Sequence, residues 1–444
     1  MILNIEKLVY GGDGLARLPG NEVQTEKQGR GKAVFVPFVL SGERVEVEIA
    51  EEHPGFSRAH LKAVAKPSPE RITPECPHFG QCGGCHYQQA GYEHQLQIKA
   101  EILRENLRRL AKLELKSEIR LHASPPWQYR NRTRVAVRAG KGAEFVLGYR
   151  RAGSESVLAV ETCPISSPLL GRAIAAVWRL GRSGGVPEAI REVEFFADAE
   201  DLRVVAVLYA AQGINPKDES LAAFAGKHRS ALSAVESVSV LSERNLLKIA
   251  SNDAVERPRK ILGPGSLKYA AGGHAYRVSA GSFFQGNRHM VEPLMKLVTE
   301  GKSGGTALDL YAGVGLFSLP LAAHFGKVIA VESSPLSHGD LSYNSPANVK
   351  AIRATTDAYL AEVAGKLAAD LIVVDPPRTG LGNRTARSLA RMNAPVIMYV
   401  SCDPATLARD LGPLMEAGYR VEQAHVVDLF PQTYHLETVL ELAR

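Results

Sequence analysis

The chain is predicted to be an α/β protein with a parallel-stranded C-terminal domain, a mixed α+β centre and a small N-terminal β-barrel. Three observations predict this. Residues up to Val64 hold short strand-like runs (Met1–Leu8, Ala33–Leu40, Arg44–Ala50, His60–Val64) separated by Gly-rich turns. The last third alternates buried-strand runs with helical stretches, and that βαβαβ order implies a parallel sheet. Between them, a Pro-rich linker from Lys66 to Pro74 leads into a helix-periodic stretch and then mixed runs. The 444 residues have room for about three domains, and these cues place them at 1–66, 67–275 and 276–444.

Composition narrows the class. A hydrophobic fraction of 45% is that of an ordinary globular protein. The net charge of +6 is compatible with a polyanionic partner without demonstrating one. The start, Met1-Ile-Leu-Asn-Ile-Glu-Lys, lacks a basic segment followed by an apolar core, and no apolar run approaches the roughly 20 residues of a membrane span. A cytosolic monomer without membrane contact is expected. Five cysteines at uneven spacing do not make a disulfide framework, and in a reducing compartment clustered cysteines more often hold metal.

In the first domain, Lys27, Arg30, Lys32 and Arg44 are scattered among four or five short strands. That suits an OB-like barrel, a frequent oligonucleotide platform. A solubilising barrel with a charged face fits the same residues equally well.

After the linker comes Cys76-x5-Cys82-Gly-Gly-Cys85, with Cys163 far along the chain able to complete a four-thiolate site. Four thiolates suit zinc or an iron–sulfur cluster. Zinc sites usually use two compact pairs, so this 3+1 arrangement, with Pro after Cys76 and Cys163, leans to [4Fe–4S]. Gly83 and Gly84 are expected to allow the tight turn between thiols. From Gln88 to Leu113, Leu96, Ala100, Leu103, Leu107 and Leu110 form one apolar stripe of a packing helix with no chemistry of its own. Arg130, Arg132, Arg134 and Arg138 then recur at even spacing and would project from one strand face. Beside Tyr129, and near Arg150 and Arg151, that face suits RNA phosphates and stacked bases; a charge-protected edge strand is the alternative.

The last third carries the chemistry. Thr306-Ala-Leu-Asp-Leu-Tyr-Ala-Gly-Val-Gly reads as a strand and a Gly-rich turn, where Gly313 and Gly315 would let a ligand approach the backbone. Val328-Ile-Ala-Val-Glu332 ends a second strand in an acid placed to bind a ribose diol. A third glycine near Ser318, which a dinucleotide fingerprint would need, is absent. Leu371-Ile-Val-Val-Asp375-Pro-Pro-Arg378 ends another strand in a carboxylate, and the following run ends at Cys402. Alone, Cys402 is equally a small buried hydrophobe or a nucleophile; the other four cysteines form a set that leaves its thiol free. The strand order and strand-end acids match Rossmann-like S-adenosylmethionine-dependent methyltransferases.

Taken together and in order, these motifs resemble the RNA uracil-C5 methyltransferase family, in its branch with an N-terminal TRAM domain and a [4Fe–4S] cluster. Ser282-Phe-Phe-Gln-Gly-Asn, Ser401-Cys-Asp-Pro and His435-Leu-Glu437-Thr add to the match. The resemblance implies that Gln285, Tyr311, Glu332, Asp375 and Asp357 bind S-adenosylmethionine. It also implies that Cys402 is the nucleophile and that Glu437 removes the C5 proton. Ribosomal RNA, ahead of transfer RNA, is the implied substrate. Ala312, where the family often has Cys, and Ser41, where its TRAM motif has Pro, depart from the pattern.

The chemistry calls for those residue types. Uracil C5 is a poor nucleophile until a thiolate adds to C6, and afterwards a base must take the C5 proton so that the thiol can leave. A free thiol with pKa about 8.5 is mostly protonated at neutral pH, so Arg378 and the donor's sulfonium are expected to lower it. The target base must also leave any stack. A cytosine-C5 methyltransferase would ordinarily carry Pro-Cys or Thr-Cys-Ser in place of Ser-Cys-Asp-Pro. An amine methyltransferase would want an aromatic residue at Arg378, and an inactive RNA-binding iron–sulfur module would have no use for Cys402 and Glu437.

Overall fold

The computed structural model describes residues 1–18, 31–139, 144–211, 218–242 and 258–444. Strands β1 (Ile2–Leu8), β2 (Asp13–Arg17), β3 (Ala33–Pro37), β4 (Arg44–Glu52) and β5 (Phe56–Lys66) close into a barrel in the order β1-β2-β3-β5-β4. Alternation drives it: Leu3, Ile5, Val34, Val36, Val45 and Val47 point inward while their neighbours face out. The Gly-rich stretch read as a turn continues into β2. Gly14 must be glycine there, because a Cβ would stand 2.3 Å from Val39 Cγ2. Lys27 and Arg30 lie outside the described residues.

The centre holds a seven-stranded sheet of β7 (Arg132–Arg138), β8 (Val146–Arg150), β9 (Val157–Ala159), β10 (Ile190–Ala197), β11 (Val204–Ala210), β12 (Val235–Ser242) and β13 (Arg259–Leu262). Helices Pro168–Arg182 and Glu219–Ala231 pack on it through Leu170, Ile174, Val177, Leu221 and Phe224. A hairpin of β14 (Ser266–Ala271) and β15 (His274–Ser279) follows and packs into the C-terminal core.

The third sheet contains β16 (Gly304–Leu310), β17 (Phe325–Glu332), β18 (Val349–Arg353), β19 (Leu371–Val374), β20 (Val396–Ser401), β21 (Arg420–Val427) and β22 (Glu437–Ala443). Its order is β18-β17-β16-β19-β20-β22-β21-β6, where β6 is Ile119–His122. Strands β16 to β20 run parallel, and β22 inserts antiparallel between β20 and β21. The order turns back between β16 and β19, which opens a crevice at their C-terminal ends. Strand β6 comes from the stretch assigned by sequence to the central domain.

The helix Tyr92–Leu110 also belongs to this sheet, packing Leu103 and Leu107 into its core. Leu110, expected on the apolar stripe, ends the helix and is 54% exposed. Lys99 falls on the buried face instead. Its Nζ lies 2.6 Å from Asp428 Oδ1, with neither side chain exposed, and 3.0 Å from the Phe430 carbonyl. Gln95 of the same helix exchanges two hydrogen bonds with Gln432, at 3.0 and 2.9 Å. Tyr129 donates to the Pro431 carbonyl at 3.0 Å, and Asn287 to that of Leu429 at 3.1 Å. The loop between β21 and β22 is thus held from outside its own sheet.

Removing one member of a buried ion pair leaves the other uncompensated. Lys99→Ala should therefore cost about 3–5 kcal/mol in chemical denaturation, with much of that recovered when Lys99→Met is combined with Asp428→Asn.

Candidate active site

Cys402 follows β20 directly. The β20/β22 ladder ends at the pairs Val400–Val439 and Ser401–Thr438, one residue short of Cys402 on one strand and at the start of the other beside Glu437, whose carboxylate acts on the Cys402 thiol. Asp375 ends the neighbouring β19 run, and Arg378 Nη2 lies 3.3 Å from the His435 ring. Burial pushes the Cys402 thiol up to about 12; the Glu437 and Asp375 carboxylates add to this and Arg378 opposes it. Burial, then Asp375, holds Glu437 well above the usual carboxylate range, and burial lifts Asp375 to about 7. His435 is pushed down to about 3 by burial and then by Arg378, so it is neutral. In the free protein Arg378 lowers the thiol, as expected, but burial and the Glu437, Asp375 and Asp403 carboxylates outweigh that one guanidinium.

Along the same edge, Tyr311 ends the β16 run with φ 62°, a left-handed conformation that costs a non-glycine residue about 1–3 kcal/mol. The Glu332 carboxylate accepts from the Gly313 N–H at 2.9 Å and the Ser334 N–H at 2.6 Å, tying two strand-end turns together. Gly313 leaves open space where a Cβ would stand, as a ligand approach requires. Gly315 does not: with φ 98°, its Cβ would meet Leu319 and Leu341, so glycine there serves the turn and its packing. Asp357 heads the helix Thr356–Val363 and faces Thr385 and Arg384, each at 3.4 Å. Gln285 is buried in a segment pinned by Ser282 to Asp340 at 2.7 Å and by Asn287 to the active-site loop.

Sequence reasoning passed over Asp309, although it sits inside a quoted motif. It is fully buried in β16, bonds Ser318 through one oxygen and has no partner on the other. Burial raises it to about 7, with Asp375 and Glu332 adding repulsion. A charged residue within an apolar strand was the available signal.

The four remaining cysteines come together. Cys76, Cys82, Cys85 and Cys163 line one small cavity, alongside Arg130 and Tyr149. Among the described residues, no three His, Cys, Asp or Glu side chains converge tightly enough to hold a single metal ion. Burial raises the thiols of Cys76 and Cys82, and lifts Cys85 to about 12. The left-handed turn falls at Gly80 (φ 83°) rather than at Gly83 or Gly84. Gly83 instead lies against the Arg150 carbonyl and Gly84 against Cys82 Sγ.

The arginine face differs from expectation. Strand β7 begins at Arg132, and Arg130 turns into the cysteine cavity. Arg132 bonds Glu194 and the Ser282 carbonyl, the latter at 2.6 Å; Arg134 bonds Glu194 at 3.0 Å and lies over Tyr209. Opposing carboxylates of β10 thus neutralise much of the face; of its four arginines Arg134, with a side chain 39% exposed, and Arg138 at the strand end stay accessible. Tyr129 is fully buried and cannot stack on a base.

Comparison with known proteins decides the family. Residues 91–444 match the tRNA (Uracil-5-)-methyltransferase family, and residues 3–62 match the TRAM domain. The chain belongs to that methyltransferase family. It is 32% identical to the 23S rRNA (uracil(1939)-C(5))-methyltransferase RlmD of Chromohalobacter salexigens, covering 100% of this chain and 89% of the relative. The corresponding protein of Shewanella sediminis is 30% identical over 98% and 94% of the two chains. The fold matches that of the Pyrococcus abyssi tRNA (uracil-54, C5)-methyltransferase, solved with S-adenosyl-L-homocysteine, with a TM-score of 0.73 at 24% identity and full coverage of both. The protein is an RNA uracil-C5 methyltransferase.

A thiol raised to about 12 should be slow to alkylate at neutral pH, because only the thiolate reacts. In the free methyltransferase, carboxamidomethylation of Cys402 should still be accelerating above pH 9 when followed by peptide-resolved mass spectrometry. Asp375→Asn should increase its rate at pH 8 about tenfold by removing one source of repulsion.

Proposed function

We propose that the enzyme methylates C5 of a uridine in 23S ribosomal RNA through a covalent adduct between Cys402 Sγ and uracil C6. The observation that carries this reading is that the β20/β22 ladder ends next to both Cys402 and Glu437, at the sheet edge where the strands leading to Glu332 and Asp375 also end. Full-length likeness to methyltransferases named for 23S rRNA supports ribosomal RNA ahead of transfer RNA. The barrel and the exposed part of Arg134 are the proposed RNA contacts, and the target base would be flipped out to reach the edge.

When bound, S-adenosylmethionine supplies an electrophilic methyl group on a positively charged sulfur. Gln285, Tyr311, Glu332, Asp357 and Asp375 are proposed to hold it, and the strained Tyr311 and open Gly313 shape a fit at the β16 turn. Cys402, Glu437 and Asp375 all retain protons more strongly than usual in the free protein. A positive charge seated among them reverses that balance, as Arg378 already does in part. The Cys402 thiolate then adds to C6, C5 takes the methyl group as the bond between the methyl carbon and the donor sulfur breaks, and the Glu437 carboxylate removes the C5 proton. Breaking the Sγ–C6 bond then frees the product and releases Cys402 as a thiolate.

The four-cysteine cavity is proposed to hold a [4Fe–4S] cluster. What supports this reading is the 3+1 spacing of the cysteines, unlike the two compact pairs usual for zinc, together with the one cavity that all four line.

Cys402→Ala should abolish formation of 5-methyluridine, assayed by nucleoside mass spectrometry on 23S rRNA from cells lacking the native gene. Glu437→Gln should accumulate a methylated protein–RNA adduct that survives denaturing electrophoresis; turnover by the first variant, or no adduct with the second, contradicts the covalent route. Anaerobically purified protein should absorb broadly in the visible region and contain about four irons per chain, whereas a colourless zinc-loaded protein contradicts the cluster.

A further inference from the structure

One hydrogen bond joins the start of the chain to the proposed nucleophile. Tyr10, in the turn between β1 and β2, donates its hydroxyl to the backbone carbonyl of Cys402 at 2.9 Å. That carbonyl lies between the end of β20 at Ser401 and the helix that starts at Pro404, so neither ladder nor helix takes it. Among the described residues no other hydrogen bond reaches it. Asp403 is occupied as the helix cap, accepting from the Ala405 and Thr406 N–H groups at 3.0 and 2.9 Å. The peptide joining Cys402 to Asp403 is therefore held at its N–H by Ser401 Oγ, at 3.3 Å, and at its carbonyl by Tyr10 alone.

Tyr10 is itself firmly placed. Its turn closes through Val9 and Asp13 at 2.9 Å, and Gly11 and Gly12 take φ values of 111° and 96°. A Cβ on Gly12 would press on His86 at 3.1 Å. The Tyr10 ring meets Tyr434 edge-on at 5.5 Å, and Tyr434 packs on His435 at 4.3 Å. It contacts both the barrel core and the core of the catalytic sheet. Burial raises its pKa, so the hydroxyl keeps its proton and stays a donor.

We propose that Tyr10 is a positioning residue: the barrel fixes the rotation of the Cys402–Asp403 peptide and thereby aims the thiol. The inference rests on Cys402 as nucleophile. It makes the TRAM domain part of the catalytic device in addition to an RNA-binding module. Misplacing a reacting group by about 1 Å can cost about 100-fold in rate, so loss of one orienting hydrogen bond should register in the chemical step.

Tyr10→Phe keeps the ring and removes the donor. At saturating RNA, single-turnover methylation should slow about tenfold, and trapping of 5-fluorouridine RNA should slow equally. The RNA Kd and the thermal transition should not move. Tyr10→p-aminophenylalanine, which returns an N–H donor to the same place, should restore the rate to within about threefold of wild type. Wild-type rates in Tyr10→Phe overturn the proposal. So does a loss that appears in RNA affinity or melting instead, or one that the amino variant fails to rescue. Cys402→Ala separates the two readings: turnover by that variant defeats the nucleophile assignment, whereas its inactivity alongside an unimpaired Tyr10→Phe defeats only the role of Tyr10.

Discussion

The buried pair of Lys99 and Asp428 is the constraint on which the active-site edge depends. Neither charge reaches solvent, and an ion left alone there would cost several kcal/mol. The pair forms only when the helix Tyr92–Leu110 docks on the loop that leads into β22. Because Gln95, Tyr129 and Asn287 bond the same loop, four outside side chains place the residues ahead of Glu437. The catalytic sheet is therefore incomplete without residues up to 337 positions earlier than the loop they hold. The family match begins at residue 91, where this helix begins, and not at the Rossmann-like strands. The unit that makes the chemistry possible includes the helix.

A second constraint is electrostatic. Asp309, Glu332, Asp375, Glu437 and the Cys402 thiol all sit near one sheet edge with their protons held more tightly than in water. Burial is the first cause for each, and mutual repulsion adds to it for all but Glu332 and Asp375. An edge arranged this way is quiet in the free protein: the thiol is protonated and the Glu437 carboxylate holds its proton more tightly than usual. It is also unsatisfied, since Asp309 keeps an oxygen without a partner. A cation entering this crevice gains from every one of these groups at once. The physics that suppresses the thiol thus favours a positively charged methyl donor, and links reactivity to its arrival.

Strand-end motifs were legible because the residues that matter are adjacent in sequence to the runs that bury them. Asp375, Glu332 and Cys402 are displayed by their own strands, and short strand-like runs between Gly-rich turns marked four of the five barrel strands. Lys99 was legible in principle, since it falls between Leu96 and Leu103 on an apolar stripe, where a lysine is out of place. Asp309 gave the same kind of signal. The arginine face misled because its neutralisation comes from Glu192 and Glu194 on β10, about sixty positions away, and spacing within one strand says nothing about the strand beside it. Tyr10 offered no signal at all: its partner is a backbone carbonyl, which every residue has.

The cysteine loop completes the picture of how the edge is held. His86, next to Cys85, donates its backbone N–H to the Gln432 carbonyl at 2.8 Å, and Tyr87 does so at 3.0 Å. The His86 ring meets Tyr434 at 4.6 Å, between Tyr10 and His435. Any group that binds the four thiols fixes Cys85, and through His86 and Tyr87 it fixes the loop that presents His435 and Glu437. Stiffening this loop requires no electron to move. A cluster here would act as a brace for the proposed base, in the same way that the barrel, through Tyr10, braces the thiol from the other side.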